Sequence, residues 1–132
     1  MKTRSGLSLL EVIISMAVSI ILISGFVSAV TITIKNSQFA RSQTLATKLA
    51  QEGLEKIRAY RDGNTWATFT TNCSSLSTMG IAAPPSPFTR TVLCTVIDAA
   101  KNSVKVIVSW TDSSGTHKSE LSSYFSNQSL WK

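Results

Sequence analysis

Histidine occurs once in this 132-residue chain, cysteine twice and proline three times. With His117 the sole imidazole and no CxxC or Cys/His spacing, the usual metal-ligand sets are excluded, so neither a metal nor a cofactor is expected. Neither a Gly-x-Ser-x-Gly elbow nor a Gly-rich phosphate loop occurs, and carboxylates are few after residue 34. A catalytic triad or nucleotide site has no residues to be built from, and the chain reads as a non-enzyme. Charge is scarcest in one place: residues 7–34 hold a single ionisable side chain, Glu11. Proline is missing from residues 7–61, which removes the commonest interruption of a long helix.

What is present is bipartite. A short basic stretch, Met1 to Gly6 (MKTRSG), leads directly into LSLLEVIISMAVSIILISGFVSAVTITI. At ~1.5 Å per residue, a helix over residues 12–34 reaches ~35 Å, enough for a hydrocarbon core of about 30 Å. The run exceeds the 7 to 15 apolar residues of a secretory signal, and no A-x-A-like site follows it. Lys2 and Arg4 before the span keep the N-terminus cytoplasmic under the positive-inside rule and send the C-terminal part outward. The lipid bilayer is thus the first expected partner. The expected organisation is a leader over 1–6, a membrane half-helix over 7–34, an amphipathic half-helix over 35–62 and a globular head over 63–132.

From residue 36 to 61 the pattern turns amphipathic. Phe39, Leu45, Ala46, Leu49, Ala50, Gly53, Ile57 and Tyr60 share one face at 100° per residue, and Arg41, Lys48, Gln51, Glu52, Glu55 and Arg58 take the other. Asp62-Gly63-Asn64 supplies the stop. One nearly continuous helix of about 55 residues, ~80 Å long, is predicted. Its weakest points are the β-branched run 30–34 and the neighbourhood of Gly25. Residues 65–86 read as a loop with a short helix or strand. Strands are predicted over 88–97, 103–111 and 116–125, joined by 98–102 and 112–115, both with turn chemistry. Val104, Val106, Val108 and Trp110 alternate on one face of the middle strand. Such a sheet is too small to stand alone, and the face of Leu49, Gly53, Ile57 and Tyr60 is its natural cover. The expected fold class is α+β: a long N-terminal helix packed on a three-stranded antiparallel sheet.

Glu11 is the residue that asks for a function. An acidic side chain at mid-membrane costs about 2.5 to 3.5 kcal/mol on insertion scales, and less near an interface, so it usually has a partner. Cleavage after Gly6 would create a cationic α-amine on Leu7, one helical turn from Glu11. The plainer alternative is a glutamate that snorkels to the headgroups.

A basic leader, Gly6, apolar Leu7, Glu11 as the fifth residue after the glycine, and then a long apolar helix together resemble the type IV prepilin signature. The resemblance implies that a prepilin peptidase cuts between Gly6 and Leu7 and N-methylates Leu7. It further implies that Glu11 pairs with a neighbouring subunit's N-terminus during assembly on an inner-membrane platform. The stretch 49–58 (LAQEGLEKIR), with Arg61-Asp62 and Trp66, is similar to minor pilins of the pilus-modification (V-type) group and to pseudopilins. Partners implied are the peptidase and other pilin or pseudopilin subunits, with localisation in the inner membrane, head outside the cytoplasm, and then in a pilus or pseudopilus. The chain departs from the pattern in carrying Leu7 where many members have Phe, and in lacking the proline of many major pilins' spans. Ser15-x-x-x-Ser19, Ser24-x-x-x-Ser28 and Gly25-x-x-x-Ala29 fit close helix packing.

Several residues admit other readings. Cys73 and Cys94 could close a disulfide over a loop of about 20 residues, worth ~3 kcal/mol in the loop-entropy model, or remain two thiols. Asn72-Cys73-Ser74 matches a glycosylation sequon, while His117 is expected to face solvent and Asp98 and Asp112 to serve turns. Formal net charge is +6; loss of Lys2 and Arg4 leaves 11 basic against 7 acidic residues, a net +4. The bases are scattered, as on a surface kept soluble. Trp66, Trp110 and Trp131 could stack on bases beside lysines, but Trp66 and Trp110 are read as core aromatics and Trp131 is left open. A nucleic-acid-binding tip or competence pilin using the basic sheet and exposed aromatics is the alternative from another class, and an unrelated signal-anchored ectodomain is a third.

Overall fold

The computed structural model describes residues 9–76 and 83–127. Helix α1 runs over Leu9–Asp62, followed by the short helix α2 (Trp66–Thr71) and a 3-10 turn (Cys73–Ser75). Three strands follow among the described residues: β1 (Thr89–Asp98), β2 (Lys101–Asp112) and β3 (Gly115–Ser126). They form an antiparallel meander in the order β1-β2-β3, so β2 is central. The layout is α+β, a long helix packed on a three-stranded antiparallel sheet.

By internal contacts the chain divides into two units, Met1–Ala40 and Arg41–Lys132. The sequence put a boundary at residue 34, where apolarity ends; the packed unit begins later, inside the helix. In the first unit, α1 continues unbroken through Gly25 and the β-branched run 30–34, the weakest points of the nearly continuous helix that the sequence predicts. Side-chain hydroxyls there reinforce the backbone instead of interrupting it: Thr31 Oγ1 donates to Val27 O at 2.9 Å and Thr33 Oγ1 to Ala29 O at 2.9 Å.

The second unit holds the core. Ala46, Ala50, Gly53 and Ile57 form the buried stripe of α1, and the small residues Ala46, Ala50 and Gly53 let the helix backbone approach the sheet closely. They face the inner side of the sheet, where Val92, Val104, Val106, Val108 and Trp110 are buried. Leu49 and Tyr60 are partly buried at the rim, whereas Leu45 is 42% exposed. Leu45 lies one residue, about 100° of helix rotation, from Ala46, too far round to reach the sheet. Arg90, on β1, crosses beneath the helix at Gly53 and donates from Nη1 to the Leu49 carbonyl at 3.0 Å. A Cβ on Gly53 would lie 3.1 Å from both Arg90 Cδ and Val106 Cγ1, so a side chain there is tight against both and a large one has no room.

The helix ends as its sequence foretold. Gly63 N bonds back to Ala59 O at 3.0 Å, and the Asn64 side chain donates to Tyr60 O at 2.7 Å. Thr65 caps α2, accepting from Thr68 N at 3.3 Å. Phe69 then enters a cluster with Tyr60, Trp66 and Phe125. At the two turns the strand ends lie one or two residues beyond their expected bounds, because the turns are tighter than expected. Only Ala99-Ala100 and Ser113-Ser114 separate the paired residues Asp98/Lys101 and Asp112/Gly115. A register shift between Val96 and Asp98 leaves Ile97 as an extra residue on β1.

Candidate functional site

The candidate assembly site begins in the first turn of α1, where Glu11 is exposed and is the only charged side chain of residues 9–34. It lines a shallow groove along the helix with Val12, Ser15, Met16, Ser19 and Ile20. Among the described residues no cation is paired with its carboxylate. The apolar side chains around it are open to the surroundings: Ile21 is 70% exposed and Phe26 71%. This is the only helix among the described residues long and apolar enough to cross a membrane, and none of its most apolar window is buried against the protein.

Six hydroxyls interrupt that apolar surface, and all are turned inward onto the backbone. Ser15, Ser19, Ser24, Ser28, Thr31 and Thr33 each donate to the carbonyl four residues earlier, at 2.8 to 3.0 Å. A hydroxyl so paired enters hydrocarbon without an unmet donor, which is what a lipid-facing surface demands. Among the described residues of the rod, Glu11 is therefore the one polar side chain without an internal partner. Gly6 and Leu7, where processing is expected, lie outside the described residues, as does Trp131.

In the head, Cys73 and Cys94 are bonded to each other, with Cα atoms 5.4 Å apart, joining the 3-10 turn to β1. The sequon reading of Asn72 meets an obstacle: its amide nitrogen is already donated to Tyr60 Oη at 3.0 Å, and its neighbour Cys73 is bonded and buried. Trp110 is buried at 3% exposure, and Trp66 packs against the core while donating from Nε1 to Ala99 O at 2.7 Å. Neither is presented for stacking on a base. His117, expected to face solvent, is half-buried on the inner side of the sheet. Its ring lies 5.5 Å from that of Trp110, and Nε2 is 3.1 Å from Asp112 Oδ1. The reason is register: His117 pairs with Trp110, so it shares the face of the core strand.

Asp98 and Asp112 serve turns, accepting from Ala100 N and Ser114 N at 2.7 Å each. The Ser114 N–H, and then His117, hold the Asp112 carboxyl below its ordinary value. On the outer face of the sheet, Glu120 sits between Lys118 Nζ at 2.9 Å and Lys105 Nζ at 3.6 Å. The hydrogen bond between Lys118 and Glu120, followed by the charge each presents to the other, lowers the Glu120 carboxyl and raises the Lys118 ammonium. Nearby, Lys101 Nζ lies 4.3 Å above the ring of the exposed Tyr124. No group of three His, Cys, Asp or Glu converges among the described residues.

The sequence missed the Arg90 contact with α1, since nothing local marks an arginine that reaches a carbonyl 41 residues away. Placement of Tyr124 on the open side of the sheet was available from strand alternation alone. Compared with known proteins, the chain matches no family model, no curated protein and no solved structure.

Proposed function

We propose that the protein is a minor type IV pilin or pseudopilin, a structural subunit held in the membrane by α1 and assembled into a filament through that helix. The observation that carries this reading is the contrast within α1. Its first part is an exposed apolar rod with every described hydroxyl internally paired and one unpaired carboxylate, Glu11. Its second part is the backbone of a packed head. A rod of that kind has two stable surroundings, lipid and the sides of other such rods. The disulfide in the head agrees with a head that matures outside the reducing cytoplasm.

On this reading a prepilin peptidase removes residues 1–6 and methylates the amine of Leu7. The amine of one subunit then offsets the Glu11 carboxylate of its neighbour, replacing the interfacial water and headgroups that solvate it in the bilayer. Cleavage precedes pairing, because only the cut chain carries a cation at that position.

The test compares membrane and sheared-filament fractions for wild type, Glu11→Gln and Glu11→Asp. Insertion is expected to persist in both variants, since Glu11→Gln removes a charge from the span, which eases insertion, and Glu11→Asp leaves the charge as it was. Glu11→Gln is expected to be depleted from filaments at least tenfold, with Glu11→Asp intermediate because charge is kept and reach shortened. Equal incorporation of all three would reduce Glu11 to a boundary residue. Intact-mass measurement tests the first step: a chain still beginning at Met1, in cells with active peptidase, refutes processing.

A further inference from the structure

Residues 65–76 occupy an unusual position in the head. They supply Phe69, Cys73 and Leu76 to its interior, at 0%, 4% and 2% exposure. Yet among the described residues their main-chain hydrogen bonds close within the stretch itself: Phe69 N to Thr65 O, Asn72 N to Thr68 O, Ser75 N to Asn72 O and Leu76 N to Cys73 O. No ladder joins them to the sheet, and α2 has only six residues, too few to hold a helix without tertiary support. Side-chain hydrogen bonds between described residues that tie the segment down include Trp66 to Ala99 O, Asn72 to Tyr60 Oη, and Asn102 to Thr70 Oγ1. The only covalent tie to the sheet is Cys73–Cys94.

A second observation concerns what lies beneath. Asn102 is fully buried; its amide nitrogen donates to Thr70 Oγ1 at 3.2 Å, but its Oδ1 has no partner among the described residues. A buried carbonyl oxygen without a donor penalises the closed arrangement, and water would relieve it if the segment lifted.

We propose that residues 65–76 form a flap over one end of the core, locked by the Cys73–Cys94 bond, and that reduction unlocks it while α1 and the three strands stay assembled. The step is ordinary thiol–disulfide exchange with a dithiol. One reductant thiolate attacks a protein sulfur, its second thiol closes the reductant's own disulfide, and Cys73 and Cys94 are left as two protonated thiols. The open head then exposes Phe69 and Leu76, together with the Phe125 ring, which packs 5.7 Å from Phe69. The inference concerns the head alone and stands whether or not the chain enters a filament.

The test is a two-dimensional amide spectrum of the full chain in detergent micelles, before and after treatment with dithiothreitol, with the Cys73→Ser/Cys94→Ser double variant beside it. The amides of Phe69, Ser74 and Leu76 are expected to move to random-coil positions in both reduced and double-variant protein. Those of Val104, Val106 and Val108 are expected to keep their strand positions. Unchanged signals over 66–76 would show that side-chain contacts alone hold the segment and would overturn the lock. Collapse of the strand signals as well would make the bond a staple of the whole head, and would overturn the flap.

Discussion

Ile21 and Ile57 lie ten turns apart in one unbroken helix, and their surroundings are opposite: Ile21 is 70% exposed, Ile57 1%. The same side chain is a surface in the first unit and a piece of core in the second. Backbone propensity therefore does not distinguish the two halves of α1. What distinguishes them is the partner each face was written for. Around Ile57 the buried positions narrow to Ala46, Ala50 and Gly53, shaped to one sheet; around Ile21 large apolar groups point in every direction, as suits an environment apolar on all sides.

Paired truncations break the comparison most directly. Ile57→Ala is expected to destabilise the head by about 2 to 5 kcal/mol, through lost burial plus the cavity left beside the sheet. Ile21→Ala should leave the unfolding midpoint of the head unchanged. Thermal or urea unfolding of both variants in micelles, followed by near-UV circular dichroism, makes the check; equal losses would mean that the two units unfold as one.

A smaller effect sharpens the same contrast at the helix–sheet seam. Gly53→Leu should overpack against Arg90 and Val106 and cost on the order of 1 to 3 kcal/mol. Gly53→Ala should be nearly neutral, because a gain in helix propensity of up to about 1 kcal/mol opposes two contacts at 3.1 Å. Of those two neighbours the arginine can yield, being long and only half-buried, whereas Val106 is fully buried. Gly25→Ala, where a Cβ would meet nothing within 4 Å, should leave the head untouched. A rise in midpoint for Gly53→Leu would contradict the packing described.

The smallest effect is electrostatic. Glu120 is held below its ordinary value of 4.5 by Lys118, so its contribution is complete above that value and fades as pH falls through the lowered one. Because the group is exposed and screened, the effect should be slight. Glu120→Gln should flatten the acid limb of the stability profile by a small amount and leave neutral pH almost unchanged. A strongly altered neutral midpoint would point to a role in packing.

Much of this arrangement was legible in the sequence because it is written in periodicities. The 3.6-residue stripe of Ala46, Ala50, Gly53 and Ile57, and the alternation of Val104, Val106, Val108 and Trp110, are local signals that survive folding unchanged. The span and Glu11 were legible for a similar reason, since transfer energies depend on composition over a short window. What escaped depends on contacts between distant residues. The reach of Arg90 to Leu49 O, the docking of Phe69 against Phe125 and the inward face of His117 are set by register and by the path of single side chains. Composition does not encode such meetings. Turn length escaped for another reason: Asp98 and Asp112 bend the chain within two residues by accepting main-chain N–H groups, which a count of turn-forming residues overestimates.

The six hydroxyls of the apolar rod have one more consequence. Their protons are already committed to carbonyls of the same helix, so a neighbouring helix finds no proton donor on that surface to grip. Such a rod behaves mechanically as a smooth bearing: it can turn about its axis or slip along a companion with only dispersion contacts to exchange. If the proposed assembly holds, angular and axial position would then be fixed at one end, by the carboxylate of Glu11.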